Sequence, residues 1–247
     1  MRFSAIEVRR HHDGRAAEII IPGGEFNMRT ARELVVAIER LREDRSLRVV
    51  TLGAKGPDFC TGATSDLDPV ALAADPVSML SQLRVPTIAA VRGACRGVGT
   101  ELILGCDIRL GTPDIRIGLA VDGPMGEPPC WGGLARLPRA IGSGDALRML
   151  LLGAEFDAEV ALRRRLIHEV VDSDDDETLQ EWIKRLVAAA PLAVELAKEV
   201  MHRGIELPLA EALRLEGDMN HLLATTDDRA EGLRAFFERR PADFAGR

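Results

Sequence analysis

Short apolar runs alternate with amphipathic stretches along the first half of the chain. Ile6–Val8 and Ala17–Ile21 read as strands of a hairpin turned at His12-Asp13-Gly14, and Pro22-Gly23-Gly24 then breaks the pattern. From about Thr30 to Glu43, Leu34, Ile38 and Leu41 recur at helical spacing with charges between them, which predicts a helix. Arg48–Gly53 is a β-branched run typical of a buried strand, and Gly53–Asp68 is irregular. A second helix is predicted over about Pro76–Leu83, followed by a strand at Thr87–Val91. Glycine-rich Gly93–Gly99 opens into an almost wholly apolar helix, Thr100–Cys106, and Ile108–Gly111 reads as a further strand. From Asp145 onward nearly everything reads as helix, with start signals at Asp157-Ala158-Glu159 and Asp174–Thr178 and punctuation at Pro191 and Pro208.

Strands that alternate with helices predict an α/β domain with crossovers. The division expected is an α/β core over residues 1–190 and a helical tail over 191–247, whose apolar faces need a neighbour to bury them. The chain has 247 residues, enough for one well-buried domain with an appendage. Hydrophobic residues at 46% and charged residues at 29% exclude a disordered chain. The longest apolar stretches, such as Leu102–Leu104 and Met149–Leu152, are too short to span a bilayer. Met1–Arg10 lacks the pattern of a secretory signal, so a cytoplasmic location and no membrane partner are expected. The net charge of −7 disfavours a nucleic-acid partner. Cys60, Cys95, Cys106 and Cys130 form no CxxC pair, so no metal site is expected. The five histidines include no HExxH and no evident triad. The acidic run Asp172–Glu177 reads as a solvated helix start, and Trp182 as core or interface.

Two glycine-bearing loops follow buried strands: Phe59-Cys60-Thr61-Gly62-Ala63 and Gly93-Ala94-Cys95-Arg96-Gly97-Val98-Gly99. The second leads straight into an apolar helix, whose first amides carry unpaired N–H groups and partial positive charge. Such a junction suits an anion or a developing oxyanion; tight helix–sheet packing is the alternative. A dinucleotide loop fits poorly, because Leu102 stands where G-x-G-x-x-G needs its third glycine. Gly53-Ala54-Lys55-Gly56 lacks P-loop spacing, and no G-x-S-x-G elbow occurs. Glu101 sits inside the apolar stretch Val98–Leu104. Burial there raises a carboxylate pKa towards neutrality, as a general acid/base requires. The alternative is a carboxylate turned to solvent or paired with Arg96.

These residues resemble the crotonase (enoyl-CoA hydratase/isomerase) superfamily. Phe59-Cys60-Thr61-Gly62-Ala63 is similar to its F-C-A-G-A-D segment, and Val85-Pro86-Thr87-Ile88-Ala89-Ala90-Val91-Arg92-Gly93 to K-P-V-I-A-A-V-N-G. Gly97-Val98-Gly99-Thr100-Glu101-Leu102 with Cys106-Asp107-Ile108-Arg109 resembles G-G-G-x-E-L-A-x-x-C-D-x-R. Pro129-Cys130-Trp131-Gly132-Gly133 with Arg136-Leu137-Pro138-Arg139 resembles P-G-x-G-G-x-x-R-L-P-R. Thr226-Asp227-Asp228-Arg229-Ala230-Glu231-Gly232 with Ala235-Phe236 is similar to T-x-D-x-x-E-G-x-x-A-F. The blocks stand in family order and span nearly the whole chain.

The resemblance implies a crotonase-like ββα spiral with a C-terminal helical trimerisation region, in a homotrimer or a dimer of trimers. It implies an acyl-CoA thioester whose carbonyl is polarised by the backbone N–H groups of Ala63 and Val98, with no cofactor beyond the coenzyme A of the substrate. CoA is expected along the loop from Ala63 through Asp66 to Leu67, with Gly62, Gly97 and Trp131 lining the substrate. Glu101 matches the first catalytic glutamate of the hydratases. The second falls on Val121 or Asp122, depending on the direction of counting; Asp122 is the candidate, with a reach shorter by about 1.5 Å. Val98 replaces a family glycine, and Thr64-Ser65 is an insertion before Asp66-Leu67. The expected activity is hydration of a 2-enoyl-CoA. Isomerisation, decarboxylation or hydrolysis of an acyl-CoA, or a catalytically weakened subunit that only binds, are the alternatives.

Overall fold

The computed structural model describes residues 3–119, 128–172 and 177–247. Strand β1 (Glu7–His11) pairs antiparallel with β2 (Ala16–Ile21), as the hairpin pattern predicts. A two-residue strand β3 (Glu25–Phe26) follows, then helix α1 (Met28–Glu43). Asn27 caps α1 by accepting the Thr30 N–H at 2.9 Å, which satisfies one of the orphan donors of the first turn and starts the helix two residues before its predicted start at Thr30. Leu34 and Ile38 on its inner face are fully buried.

The same unit then recurs. β4 (Val49–Ala54), β5 (Gly62–Ala63) and α2 (Pro76–Ser81) form one turn; β6 (Thr87–Val91), β7 (Ala94–Arg96) and α3 (Val98–Leu104) form the next. β8 (Ile108–Gly111) and β9 (Arg116–Gly118) lead to α4 (Gly133–Ile141), α5 (Ser143–Leu151) and α6 (Ala158–Arg163), before β10 (Glu169–Val170) and α7 (Glu177–Ala188). Each turn gives one strand to a six-stranded sheet ordered β1-β2-β4-β6-β8-β10, parallel beyond β2, and one to a small two-stranded sheet, β3-β5 or β7-β9. A parallel bridge between Cys60 and Cys95 joins the small sheets. The result is the expected ββα spiral.

The main core fills the space between the sheets and α1 to α6, with Ile19, Leu34, Leu52, Phe59 and Leu102 fully buried. Each such side chain contributes about 1.5–3 kcal/mol of transfer free energy. A smaller cluster covers the other sheet face, where Leu179 and Ile183 of α7 pack on Val49, Ile88 and Leu110, with Trp182 partly buried beside them.

The last helices are α8 (Pro191–Gly204), α9 (Leu209–Ala224) and α10 (Asp227–Glu238). α8 is tied to the core by polar contacts: Arg84 pairs with Glu195, and Lys198 Nζ reaches Asp107 Oδ2 at 2.7 Å and the Val85 carbonyl at 2.9 Å. α9 has no buried residue, and Ile205, Phe236 and Phe237 are each more than three-quarters exposed (83%, 77% and 80%). No helix among the described residues is long and apolar enough to cross a membrane.

Candidate active site

Glu101 lies in the first turn of α3 and is 2% exposed. Two glycines let α3 start where it does. Gly97, the residue before it, has φ +51°, a left-handed value that L side chains avoid. At Gly99, a Cβ would sit 2.5 Å from the Cys60 Cβ, so only glycine lets the helix settle against the Cys60–Ala63 loop. The Gly99 amide in turn donates to the Cys60 thiol, which burial pushes up to about 11.

The carboxylate of Glu101 is met by backbone donors. Oε1 accepts the N–H groups of Trp131 at 2.7 Å and Gly133 at 2.8 Å, and Oε2 that of Cys130 at 3.3 Å. These amides belong to the turn that opens α4, so the helix dipole also favours the anion. Gly133 eases the approach, since a Cβ there would lie a tight 3.1 Å from Glu101 Cγ. Burial raises the Glu101 pKa; the three amides pull it down, the charge of Asp75 adds to the rise, and the net direction is upward. Arg96 bonds Glu155 instead, so the solvent-facing or Arg96-paired alternative for Glu101 does not hold.

Ala63 and Val98 approach the same region from two elements. Val98 is the first residue of α3, where an amide has no acceptor within its own helix. Its side chain is buried in the main core, which absorbs the bulk it carries in place of a family glycine. Ala63 pairs with Phe26 across β3 and β5, and the next amide, Thr64 N–H, donates to the Phe26 carbonyl at 3.0 Å. Alternate amides of a strand point to opposite sides, so the Ala63 N–H turns away from β3. Gly62 is buried, and its carbonyl accepts from the Cys60 thiol at 3.6 Å. Gly97 donates to the Gly118 carbonyl at 3.0 Å, which fixes the loop before Val98.

The inserted Thr64-Ser65 makes a turn closed by Leu67 N–H on the Thr64 carbonyl at 3.0 Å. Asp66 bonds the Thr64 hydroxyl, which holds its carboxyl below the usual range, and it accepts weakly from Met28 N–H at 3.4 Å. Leu67 packs partly buried against the core. Trp131 is buried, and its ring meets Phe26 edge-on at 5.9 Å. It therefore links the turn holding Glu101 to the strand that pairs with Ala63. Asp122 lies outside the described residues.

Sequence reading missed the donors of Cys130 and Gly133, the ring of Phe26, and Arg136. Only the glycine pair of Gly132-Gly133 signalled a close backbone approach. Among the described residues no group of three or more His, Cys, Asp or Glu is placed to hold a metal ion.

The family model described as enoyl-CoA hydratase/isomerase matches residues 24–247. An (E)-benzylidenesuccinyl-CoA hydratase of Thauera aromatica is 33% identical over 218 residues, covering 84% of this chain and 85% of that one. A 2,3-dehydroadipyl-CoA hydratase of Escherichia coli is 34% identical over 226 residues, covering 87% and 88%. The crystal structure of an enoyl-CoA hydratase from Bacillus anthracis superposes with a TM-score of 0.85 at 30% identity, covering 99% of this chain and 100% of that one. With the ββα spiral, the two glycine-bearing loops and the buried Glu101, these matches establish that the chain belongs to the enoyl-CoA hydratase/isomerase family of the crotonase superfamily.

Proposed function

We propose that this protein adds water across the double bond of a 2-enoyl-CoA thioester. The observation that carries the reading is Glu101: a buried carboxylate met by backbone amides, with its proton affinity raised, beside two elements that present Ala63 and Val98. The thioester carbonyl sits between the Ala63 and Val98 N–H groups. As the water oxygen bonds to the β-carbon, one O–H bond breaks and Glu101 takes the proton, while the double-bond electrons move to the thioester oxygen. The enolate collapses when the α-carbon receives a proton from a carboxyl group, Glu101 itself or Asp122. Loss of one oxyanion donor costs about 3–4 kcal/mol in sites of this kind.

Coenzyme A enters as part of the substrate, along Ala63, Asp66 and Leu67, and no separate cofactor is needed. The relatives named as hydratases support the reaction class. The exposed apolar faces of α9 and α10 support a homotrimer or a dimer of trimers, and the setting is the cytoplasm. Isomerisation, decarboxylation or hydrolysis of an acyl-CoA would use the same oxyanion donors. The missing second glutamate is the observation that favours them.

The test is hydration of crotonyl-CoA, followed by loss of the enoyl-thioester absorbance. Glu101→Gln is expected to lower kcat by roughly 10²- to 10⁴-fold, and Asp122→Asn to lower it as well. Tight acyl-CoA binding without turnover in the wild type would move the assignment to the single-carboxylate reactions.

A further inference from the structure

We infer that Arg136 is a positioning residue for Glu101, bolting the turn whose amides hold that carboxylate. The inference rests on Glu101 acting as the acid/base group. The donors on Glu101 come from Cys130, Trp131 and Gly133, so their geometry is only as good as that of the turn. That turn passes through Gly132 at φ +90°, a left-handed conformation favourable only to glycine. Left to itself, such a segment has several ways to relax.

Arg136 removes them. From the first turn of α4 it reaches back, and Nη1 donates to the Trp131 carbonyl at 2.7 Å. The guanidinium crosses the space a side chain on Gly132 would occupy: a Cβ there would lie 2.2 Å from Nη1. Trp131 is thereby gripped at both ends, its N–H on Glu101 and its carbonyl on Arg136. The other arm of the fork donates to Ser78 Oγ at 3.1 Å, and the Ser78 hydroxyl donates to Asp75 Oδ2 at 2.5 Å. Asp75 is itself fixed as the cap of α2, accepting the Val77 N–H at 2.8 Å. An unbroken polar chain therefore runs from α2 through Arg136 to the turn and on to Glu101.

The arrangement needs a planar fork. One guanidinium spans two acceptors on different elements, which a single ammonium does not reproduce. Among the described residues, the charge that acts on Glu101 is that of Asp75, the cap of α2, which raises its proton affinity, while Arg136 acts on it through the Trp131 carbonyl.

The test is the pH dependence of crotonyl-CoA hydration in wild type, Arg136→Met, Arg136→Lys and Ser78→Ala. Arg136→Met is expected to lower kcat roughly 10- to 100-fold with KM little changed, since misplacement of a reacting group acts on the chemical step. Its acid limb should move to higher pH, because loosened amides no longer favour the ionised carboxylate. Ser78→Ala should move the limb the same way by less, and Arg136→Lys should recover only part of kcat. An acid limb that stays on the wild-type curve in Arg136→Met, whatever happens to kcat, overturns the inference. If Arg136→Met does not fold, an unmoved limb in Ser78→Ala does the same. If the wild type hydrates nothing, the proposed function falls separately, and the clamp is then read from the Glu101 carboxyl by carbon-13 titration. A titration identical in wild type and Ser78→Ala overturns it there.

Discussion

The two ends of α3 each hold an acid, Glu101 buried and Asp107 half-buried, and they answer it in opposite ways. At the N-terminal end, the described hydrogen-bond donors on Glu101 are backbone amides: Trp131 and Gly133 on Oε1 and Cys130 on Oε2. Beyond the C-terminal end, Asp107 accepts from Lys198 at 2.7 Å and from the N–H and hydroxyl of Thr87 at 2.7 and 2.9 Å. A full positive charge faces Asp107, and the contact pins α8 to the core. Partial charges leave Glu101 free to take up and return a proton. A helix seven residues long thus separates a carboxylate held by dipoles from one held by a charge.

That contrast can be broken from either side. The largest effect on stability is expected from Lys198→Met, which takes the ammonium from half-buried Asp107 and leaves it the His202 contact at 2.9 Å. Removing one partner of a buried pair costs up to about 3–5 kcal/mol, and urea titration should read the loss as a drop in midpoint. Leu102→Ala, between the two acids, should cost about 2–5 kcal/mol by opening a cavity, without moving the pH dependence of turnover. Glu101→Gln should go the other way. A carboxyl whose folded pKa lies above its ordinary 4.5 makes folding less favourable as pH rises through that window. The wild type therefore loses stability from about pH 4.5 up to the raised folded value, and Glu101→Gln does not. Melting temperatures should coincide at acid pH, with the variant higher at neutral pH; the reverse order would sink the reading of Glu101 as a protonatable group. The smallest effect on the isolated fold is expected from Phe236→Ser with Phe237→Ser. Both rings are exposed in the protomer, so secondary structure should survive while sedimentation shows a smaller assembly.

Much of this was legible in the chain. The strands at Thr87–Val91 and Ile108–Gly111 stand where expected, and Gly93–Gly99 does open a buried helix. That helix begins at Val98, two residues before Thr100, because the turn at Gly97 already delivers helical geometry. The strands β3, β5, β7 and β9 are two or three residues long, too short for alternation to register, so the second sheet was invisible. β10 likewise interrupts the helical run expected after Asp145. Glu101 stood out because a carboxylate in an apolar run is costly. Its partners did not, because any residue type except proline supplies an amide N–H. The ties on α8 join residues 91 to 113 positions apart, a span no local pattern encodes.

The turn that serves Glu101 also carries a chemical handle. Cys60, Cys95 and Cys106 are buried, and burial pushes the thiols of Cys60 and Cys106 up to about 11 and 12, out of reach of ordinary alkylating reagents. Cys130 is exposed, and its own amide is one of the three on Glu101. A maleimide dye should therefore attach once per chain, at the rim of the chemistry. Its fluorescence would then report loosening of that turn in Arg136→Met, without any engineered cysteine.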